Sequence, residues 1–346
     1  MKHWKAVAAA VGAGLVARWA SGMLLNAIQR SQSLKNTATV TSLFVFPIKG
    51  VGGFEVQEWP LGPHGLLWDR EWAVGLPKDD GSYQVVSSNR LQRLAAATAS
   101  IDLAGQRMTL TAPGVESLTT SVRQSVAEAN VTLRPIEIFG MPGSAVEESA
   151  EATAWWRRAV GNDDVVFLRI VTARMPQDSP NHQGCPVTEA DSIGFHDYAA
   201  LHIITREGVA WLDTVIPRDH QFPGFEITEA QFRANVVVEG LPFPDEDTWS
   251  VVTIGATKLR VAKQSGRCVI PTHNAAGERH PRFEPTATLR RVRRAFHRHQ
   301  LGRPTKEGLF MFGLDLFHDA AIATGNILRV GDTLTVTERQ TAPEYF

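Results

Sequence analysis

Cys268 stands between Arg267 and Val269 in the run GRCVIPT, directly after the strand-like TKLRVAK and before a proline. A strand leaves its sheet at such a point, and the loop presents side chains. A thiolate there is a soft ligand suited to copper, zinc or a molybdenum-type centre, and the adjacent guanidinium favours its charged form. The same cysteine paired with His273 or His280 would make a nucleophile with its base. A buried strand-end cysteine with no chemistry has the same spacing. The chain has no CxxC and no HExxH, which argues against a structural zinc or an iron–sulfur cluster. The second cysteine, Cys185, lies in a stretch rich in Pro, Gly and Asn and has no assigned role.

Three further runs place cations where strands begin or end. FPIKG (46–50) closes a strand with Lys49 beside Gly50, WDREW (68–72) sets Asp69 and Arg70 before another, and FRANVVV (232–238) opens a third with Arg233 and Asn235. Taken singly, each cation is an ordinary solvated strand end. Together Lys49, Arg70, Arg233 and Arg267 all sit at strand termini, where barrel folds build ligand mouths. Four such cations cradle an anion, and the planar fork of arginine suits phosphate.

The elements that must position these residues are mostly strands. The chain has 346 residues, 43% apolar and 21% charged, with a net charge of -1. That balance excludes a disordered, collagen-like or polytopic membrane protein and allows about two domains. VTSLFVF (40–46), REWAVGL (70–76), YQVVSS (83–88) and QRMTLTA (106–112) are short β-branched or aromatic runs separated by turn signals. LHIIT (201–205), ANVVVEG (234–240), SVVTIG (250–255), TKLRVAK (257–263) and ILRVGDTLTV (327–336) form a second β-rich stretch. Such spacing favours barrels or sandwiches over alternating βαβ units. Helices are expected over 147–160, with acids first and arginines last before Gly161, and over the basic 287–300. Residues 171–192 mark a seam between two domains.

Charge is distributed unevenly. Residues 1–54 hold six basic residues and no acid, which leaves 29 basic against 36 acidic residues in the remainder, a net of -7. An acidic body is a poor binder of phosphate backbones, so nucleic acid is not an expected partner. Residues 6–28 are apolar except for Arg18, Ser21 and Asn26. Arg18 near the middle costs about 2.5–3.5 kcal/mol on insertion and makes the span marginal. The acid-free basic flank suits an organelle-targeting or anchoring segment over 1–37, with a secretory signal and a buried helix as the competing readings.

The ordered set of runs resembles the MOSC proteins. Residues 39–160, with FPIKG and WDREW, look like their N-terminal β-barrel, and residues 186–338, with FRANVVV, SGRCVIPT and VGDTLTV, look like the MOSC domain. The resemblance is nearest to the mitochondrial amidoxime-reducing component family, which also begins with a targeting and anchor segment. It implies an α+β, β-rich fold, with a barrel-like domain over 38–170 and a MOSC barrel with flanking helices over 171–340. It implies a molybdenum cofactor whose metal takes Cys268 as protein ligand. Lys49, Gly50, Arg70, Asp197, Arg233, Asn235 and Arg267 would hold the pterin and its phosphate. The activity implied is reductive removal of oxygen from amidoximes, hydroxamic acids and hydroxylamines, with His196 and His273 as candidate proton donors.

No Rossmann GxGxxG appears, so the resemblance implies electrons from a b-type cytochrome and its NADH-dependent reductase. It also implies a monomer on the mitochondrial outer membrane. Seven arginines in 282–303 (Arg282, Arg290, Arg291, Arg293, Arg294, Arg298, Arg303) against Glu284 suggest an outward basic face for an acidic partner. Four positions depart from the family pattern: Gly50 replaces Ser, Tyr198 and Ala199 replace small hydroxyl residues after Asp197, and Asn274 stands for an acid. A cofactor carrier without turnover, a metal-free anion-binding module and a Cys–His hydrolase are the alternatives.

Overall fold

The computed structural model describes residues 35–88, 90–122, 132–179, 185–295 and 309–342. The segment expected to target or anchor the chain lies outside the described residues up to position 34. Among the described residues no helix is long and apolar enough to cross a membrane.

In chain order the strands that matter are β1 (Thr37–Val45), β2 (Trp72–Pro77), β3 (Tyr83–Val85), β4 (Arg134–Ile138), β5 (Met141–Glu147) and β6 (Val166–Thr172). They are followed by β7 (Leu201–Thr205), β8 (Val236–Glu239), β9 (Trp249–Ile254), β10 (Thr257–Gly266), β11 (Leu309–His318) and β12 (Thr333–Arg339). Strands β4-β5-β6-β2-β3 close into one barrel. The order β7-β8-β1-β12-β9-β10-β11 forms the other, because β11 pairs back onto β7. The expected β-rich, two-barrel architecture is therefore present.

Two features differ from the sequence expectation. β1 opens the expected first domain, yet it is laid antiparallel between β8 and β12 of the larger barrel. The chain then crosses to the smaller barrel, where Ile48 bridges to Trp72 and the Lys49 N–H donates to the Trp72 carbonyl at 2.9 Å. β7 and β8 run parallel, joined through the helix Arg206–Val215, so one βαβ unit is built into a barrel read as free of them. β7 is buried at every position and β8 at all but its last, which is why both read as continuous apolar runs without alternation.

The helices are short and capped. α1 (Ala150–Val160) starts at Ser149, whose hydroxyl accepts from Ala152 N–H, and ends at Gly161 in the left-handed region with φ 69°. It buries Trp155 and Trp156. α2 (Arg206–Val215) is capped by the Thr205 hydroxyl. α3 (Thr286–Val292) is only the first half of the expected 287–300 helix, and residues 296–300 lie outside the described set.

The arginines of that segment do not all face solvent. Arg293 is buried and pairs with both oxygens of Asp247, at 2.7 and 2.8 Å. It is a core ion pair rather than part of a docking face. Arg298 and Arg303 lie outside the described residues.

Asp247 has a costly neighbour. Glu246 is buried, with one oxygen accepting from the Thr205 hydroxyl at 3.1 Å and the other without a partner. Burial first, then the charge of Asp247, push the Glu246 carboxyl up to about 8. Folding therefore takes up a proton between the ordinary carboxylate range and pH 8, and stability falls as pH rises through that window. Urea denaturation from pH 5 to pH 8 is expected to show the native chain losing stability relative to Glu246→Gln, which lacks this titration. Parallel pH profiles for the two would mean that Glu246 is ionised in the folded state.

Candidate functional site

The site is assembled around Asp69, whose side chain is fully buried where the segment between the barrels turns into β2. Its carboxylate accepts from the Phe46 backbone N–H at 2.7 Å, from Arg70 Nη1 at 2.5 Å and from His196 Nε2 at 3.1 Å. Burial opposes its charge, but Arg70 and these hydrogen bonds outweigh burial and hold its pKa below the usual carboxylate range. Arg70 in turn donates Nη2 to the Arg233 carbonyl at 2.8 Å. Both arginines have left-handed backbones, φ 46° and 55°, a conformation that non-glycine residues rarely hold without support. Their guanidiniums lie 4.5 and 4.6 Å from the centroid of the Phe46 ring.

A second anchor fixes the loop at 193–198. Arg174 is completely buried and donates to the Gly194 carbonyl at 2.9 and 2.7 Å, to Ile138 O at 3.2 Å and to His196 O. Burial lowers its pKa to about 10. The loop so held presents Asp197 to Lys49, whose Nζ pairs with that carboxylate and donates to Phe195 O at 3.0 Å.

These groups face a cavity of about 640 Å³ between the two barrels. Lys49, Gly50, Arg70, His196, Asp197, Arg233, Asn235, Arg267 and Cys268 all line it. Cys268 lies two residues beyond the end of β10 and is exposed to the cavity. Its Sγ accepts from Ile270 N–H at 3.5 Å, and its carbonyl accepts from the Thr286 hydroxyl at 2.9 Å, which ties the loop to α3. Arg267 donates Nη1 to His202 Nε2 at 2.9 Å and Nη2 to Phe232 O at 2.8 Å, while its buried Nε has no partner. His202 donates Nδ1–H to Leu314 O at 2.9 Å, so its Nε2 is the acceptor. Arg233 makes no hydrogen bond or ion pair through its side chain with the described residues, and burial followed by the nearby Arg70 charge lowers its pKa to about 9. Gly50 has φ 78°, and a Cβ there would meet Ser88 N at 3.3 Å, so bare backbone forms that wall.

The two histidines read from the sequence behave differently from the expectation. His273 does not line the cavity; its Nδ1 bonds to Ile270 O at 3.2 Å and its Nε2 lies 3.4 Å from Arg279 Nε. His196 does line it, but burial lowers its pKa to about 4 despite Asp69, so it is neutral at pH 7. A neutral, buried His196 does not fit a proton donor titrating near neutrality, and His273 stands outside the cavity. Asn235 spends its amide on strand backbones, donating to Phe44 O at 3.2 Å and accepting from His202 N–H at 3.1 Å. It ties two strands together beside the cavity, and these bonds use one of its two N–H groups and one of its two acceptor sites. Asn274 lies away from the cavity, in a turn where its Oδ1 accepts from Ala276 and Glu278 N–H.

Sequence reading missed Arg174, Lys263, His202 and Asp315. The first lies in the expected seam and the others inside strands, where nothing local distinguishes a cavity-facing polar residue. For Asp69 the signal was present, an acid directly before Arg70, without a role attached.

Comparison with known proteins places the description "MOSC N-terminal beta barrel domain" on residues 37–163 and "MOSC domain" on residues 190–335. A molybdenum cofactor sulfurase of Danio rerio is 30% identical over 67% of this chain and 28% of its own length. One of Oryza sativa subsp. japonica is 24% identical over 91% of this chain and 37% of its own. The chain thus spans about a third of the sulfurases it matches. Mitochondrial amidoxime reducing component 2 of Homo sapiens is 26% identical over 77% of this chain and 75% of its own length.

An unpartnered guanidinium beside like charges is a standing demand for an anion. Inorganic phosphate at about 100 times its dissociation constant should stabilise the folded protein by about 2.7 kcal/mol, read as a raised Tm. Arg233→Met should raise the Tm in anion-free buffer and lose most of the phosphate response. An equal response in both proteins would show that the cavity does not bind the anion through Arg233.

Proposed function

Because the chain belongs to the MOSC family, with both of its domains in order, we propose that it binds a molybdenum cofactor and reduces N-hydroxylated compounds, namely amidoximes, hydroxamic acids and hydroxylamines. The observation that supports this most is the single exposed thiol of Cys268 facing the same cavity as Lys49, Arg70, Arg233 and Arg267. Among the described residues no cluster of three or more His, Cys, Asp or Glu could hold a bare metal ion. The donor set therefore suits a metal that arrives with other ligands and an anionic carrier.

The cavity fits such a group on its own terms. Arg267 Nε is buried without a partner, Arg233 is unpaired among the described residues, and the Gly50 wall leaves backbone where a side chain would intrude. Arg70, Arg233 and Arg267 would hold the phosphate and pterin, Lys49 and Asp197 would border them, and Cys268 would ligate the metal. When bound, the cofactor supplies the two-electron removal of oxygen from nitrogen. The residues around it orient and neutralise: the cations compensate its charge, and neutral His196 and His202 hold Asp69 and Arg267 in place without adding positive charge. Electrons would come from a b-type cytochrome and its NADH-dependent reductase. The reading places the protein at the mitochondrial outer membrane through its first 37 residues, as a monomer.

A second reading is a cofactor carrier without turnover. It is favoured by the sulfurase matches, which cover only part of those proteins. The Cys–His hydrolase loses support, since the Cys268 thiol bonds to Ile270 N–H and neither His273 nor His280 lines the cavity.

The full chain, made in a host that synthesises the cofactor, is expected to carry near-stoichiometric molybdenum and pterin. It should reduce benzamidoxime when supplied with a b-type cytochrome, its reductase and NADH. Cys268→Ser should lose at least about a hundredfold in reduction. Metal and pterin without reduction would favour the carrier. Neither metal nor pterin in folded protein would overturn both readings and leave the anion-binding module.

A further inference from the structure

Lys263 lies on β10, five residues before Cys268, and lines the cavity. It is only 8% exposed. Its Nζ stands 3.5 Å from the centroid of the Tyr198 ring. Tyr198 is stacked on Phe139, with centroids 4.9 Å apart and planes at 21°. Phe139 is 46% exposed and lines the same cavity, with φ 54°.

The ammonium makes no hydrogen bond or ion pair with the described residues. The charges acting on it are Asp315, Cys185 and Asp197, not Lys49, Arg70, Arg233 and Arg267. Asp197 is engaged elsewhere, while Asp315, opposite Lys263 on β11, has one oxygen, Oδ2, that takes no hydrogen bond from Lys263 or any other described residue. Asp315 lies 3.5 Å from His202 Nδ1 and takes a hydrogen bond from Ser265, and Asp197 is paired with Lys49. A buried ammonium with three donors and no oxygen acceptor is unfavourable unless something else supplies one. Burial accordingly lowers its pKa. The adjacent half-exposed ring stack offers a flat apolar surface beside it.

We propose that Lys263, Tyr198 and Phe139 form a substrate subsite for planar, carboxylate-bearing ligands, with the carboxylate on Lys263 and the ring against the aromatic pair. As a substrate class this rests on the reductase reading above and narrows it to N-hydroxylated aromatic acids. The subsite itself is a binding property and does not depend on turnover.

The test is calorimetric titration of the oxidised protein without reductant, comparing 4-carboxybenzamidoxime with benzamidoxime. The native protein should bind the carboxylate at least tenfold more tightly. Lys263→Gln should lose that preference, and Tyr198→Ser should weaken binding of both rings. Equal affinities in the native protein, or a preference that survives Lys263→Gln, would overturn the subsite.

Should Lys263→Gln fail to fold, reductive methylation of the native protein replaces it. Benzoate should protect Lys263 in the mass-mapped peptides, and unchanged labelling would count against the proposal. Molybdenum content measured on the same samples separates the two readings. A carboxylate preference in metal-free protein leaves the subsite standing while the reductase reading falls. Full metal loading with no preference removes the subsite alone.

Discussion

The Asp69 carboxylate is withdrawn from water completely, and a charge so placed survives only if hydrogen bonds replace its hydration. Three donors do so, and each comes from a different part of the chain: Phe46 N–H just beyond β1, Arg70 just before β2, and His196 in the loop held by Arg174. The carboxylate is thus the point at which the end of one barrel strand, the start of another and the connecting loop are forced into register. Arg70 adopts its left-handed backbone here, with its N–H on Phe46 O at 2.8 Å and its carbonyl accepting from Phe195 N–H at 2.6 Å. The strain is held because both peptide groups of that turn are used. Arg70, through it the Arg233 carbonyl, and the loop carrying His196 and Asp197 are positioned by this arrangement.

What the arrangement achieves electrostatically is a concentration of positive charge that the protein itself does not neutralise. Lys49 has Asp197 and Arg70 has Asp69, but Arg233 has only the Phe46 ring and a carbonyl-bound arginine beside it. The histidines are instructive. Protonating His196 would place a hydrogen on Nδ1, which is buried with no acceptor, next to Arg70. His202 accepts from Arg267 through Nε2 and would lose that bond if protonated. Burial keeps both neutral, so they serve as polar struts that direct charged neighbours without adding to the positive field. A proton needed for chemistry in this cavity must therefore come from another group or from water.

How much of this was legible in the sequence follows from where the information resides. The cations at strand ends and the arginine–cysteine pair were readable because turn signals and β-branched runs mark strand termini locally, and chemistry collects there. The identity of the partner strands was not. β1 alternates well enough to be found, with Val40, Leu43 and Val45 buried, but alternation says nothing about which sheet receives it. β11, LFMFGLDLFH, went unread because it pairs on both sides and is buried nearly throughout, so period two is erased. Lys263 and Asp315, paired across β10 and β11, share that invisibility: a polar residue in an apolar strand does not announce whether it faces core, cavity or solvent. His273 shows the converse, since nearness to Cys268 in sequence did not become nearness in the cavity.

The placement of β1 also explains why the cavity belongs to neither barrel. The larger barrel holds β1 between β8 and β12, and after β1 the chain leaves it to build β2 and the smaller barrel. Between Phe46 and Trp72 the chain meets the gap at both ends of the segment, which carry Lys49, Gly50, Asp69 and Arg70, while Phe54–Val56 pairs back onto β1. The return from β6 brings Arg174 and the 193–198 loop back over the same gap before β7. Arg233, Arg267 and Cys268 then arrive from the strand ends of the larger barrel that open onto it. Had β1 stayed with the smaller barrel, each barrel would fold with its own connections, and the cations would be divided between two surfaces. Laying one strand into the other sheet is the topological device that collects them in a single cavity.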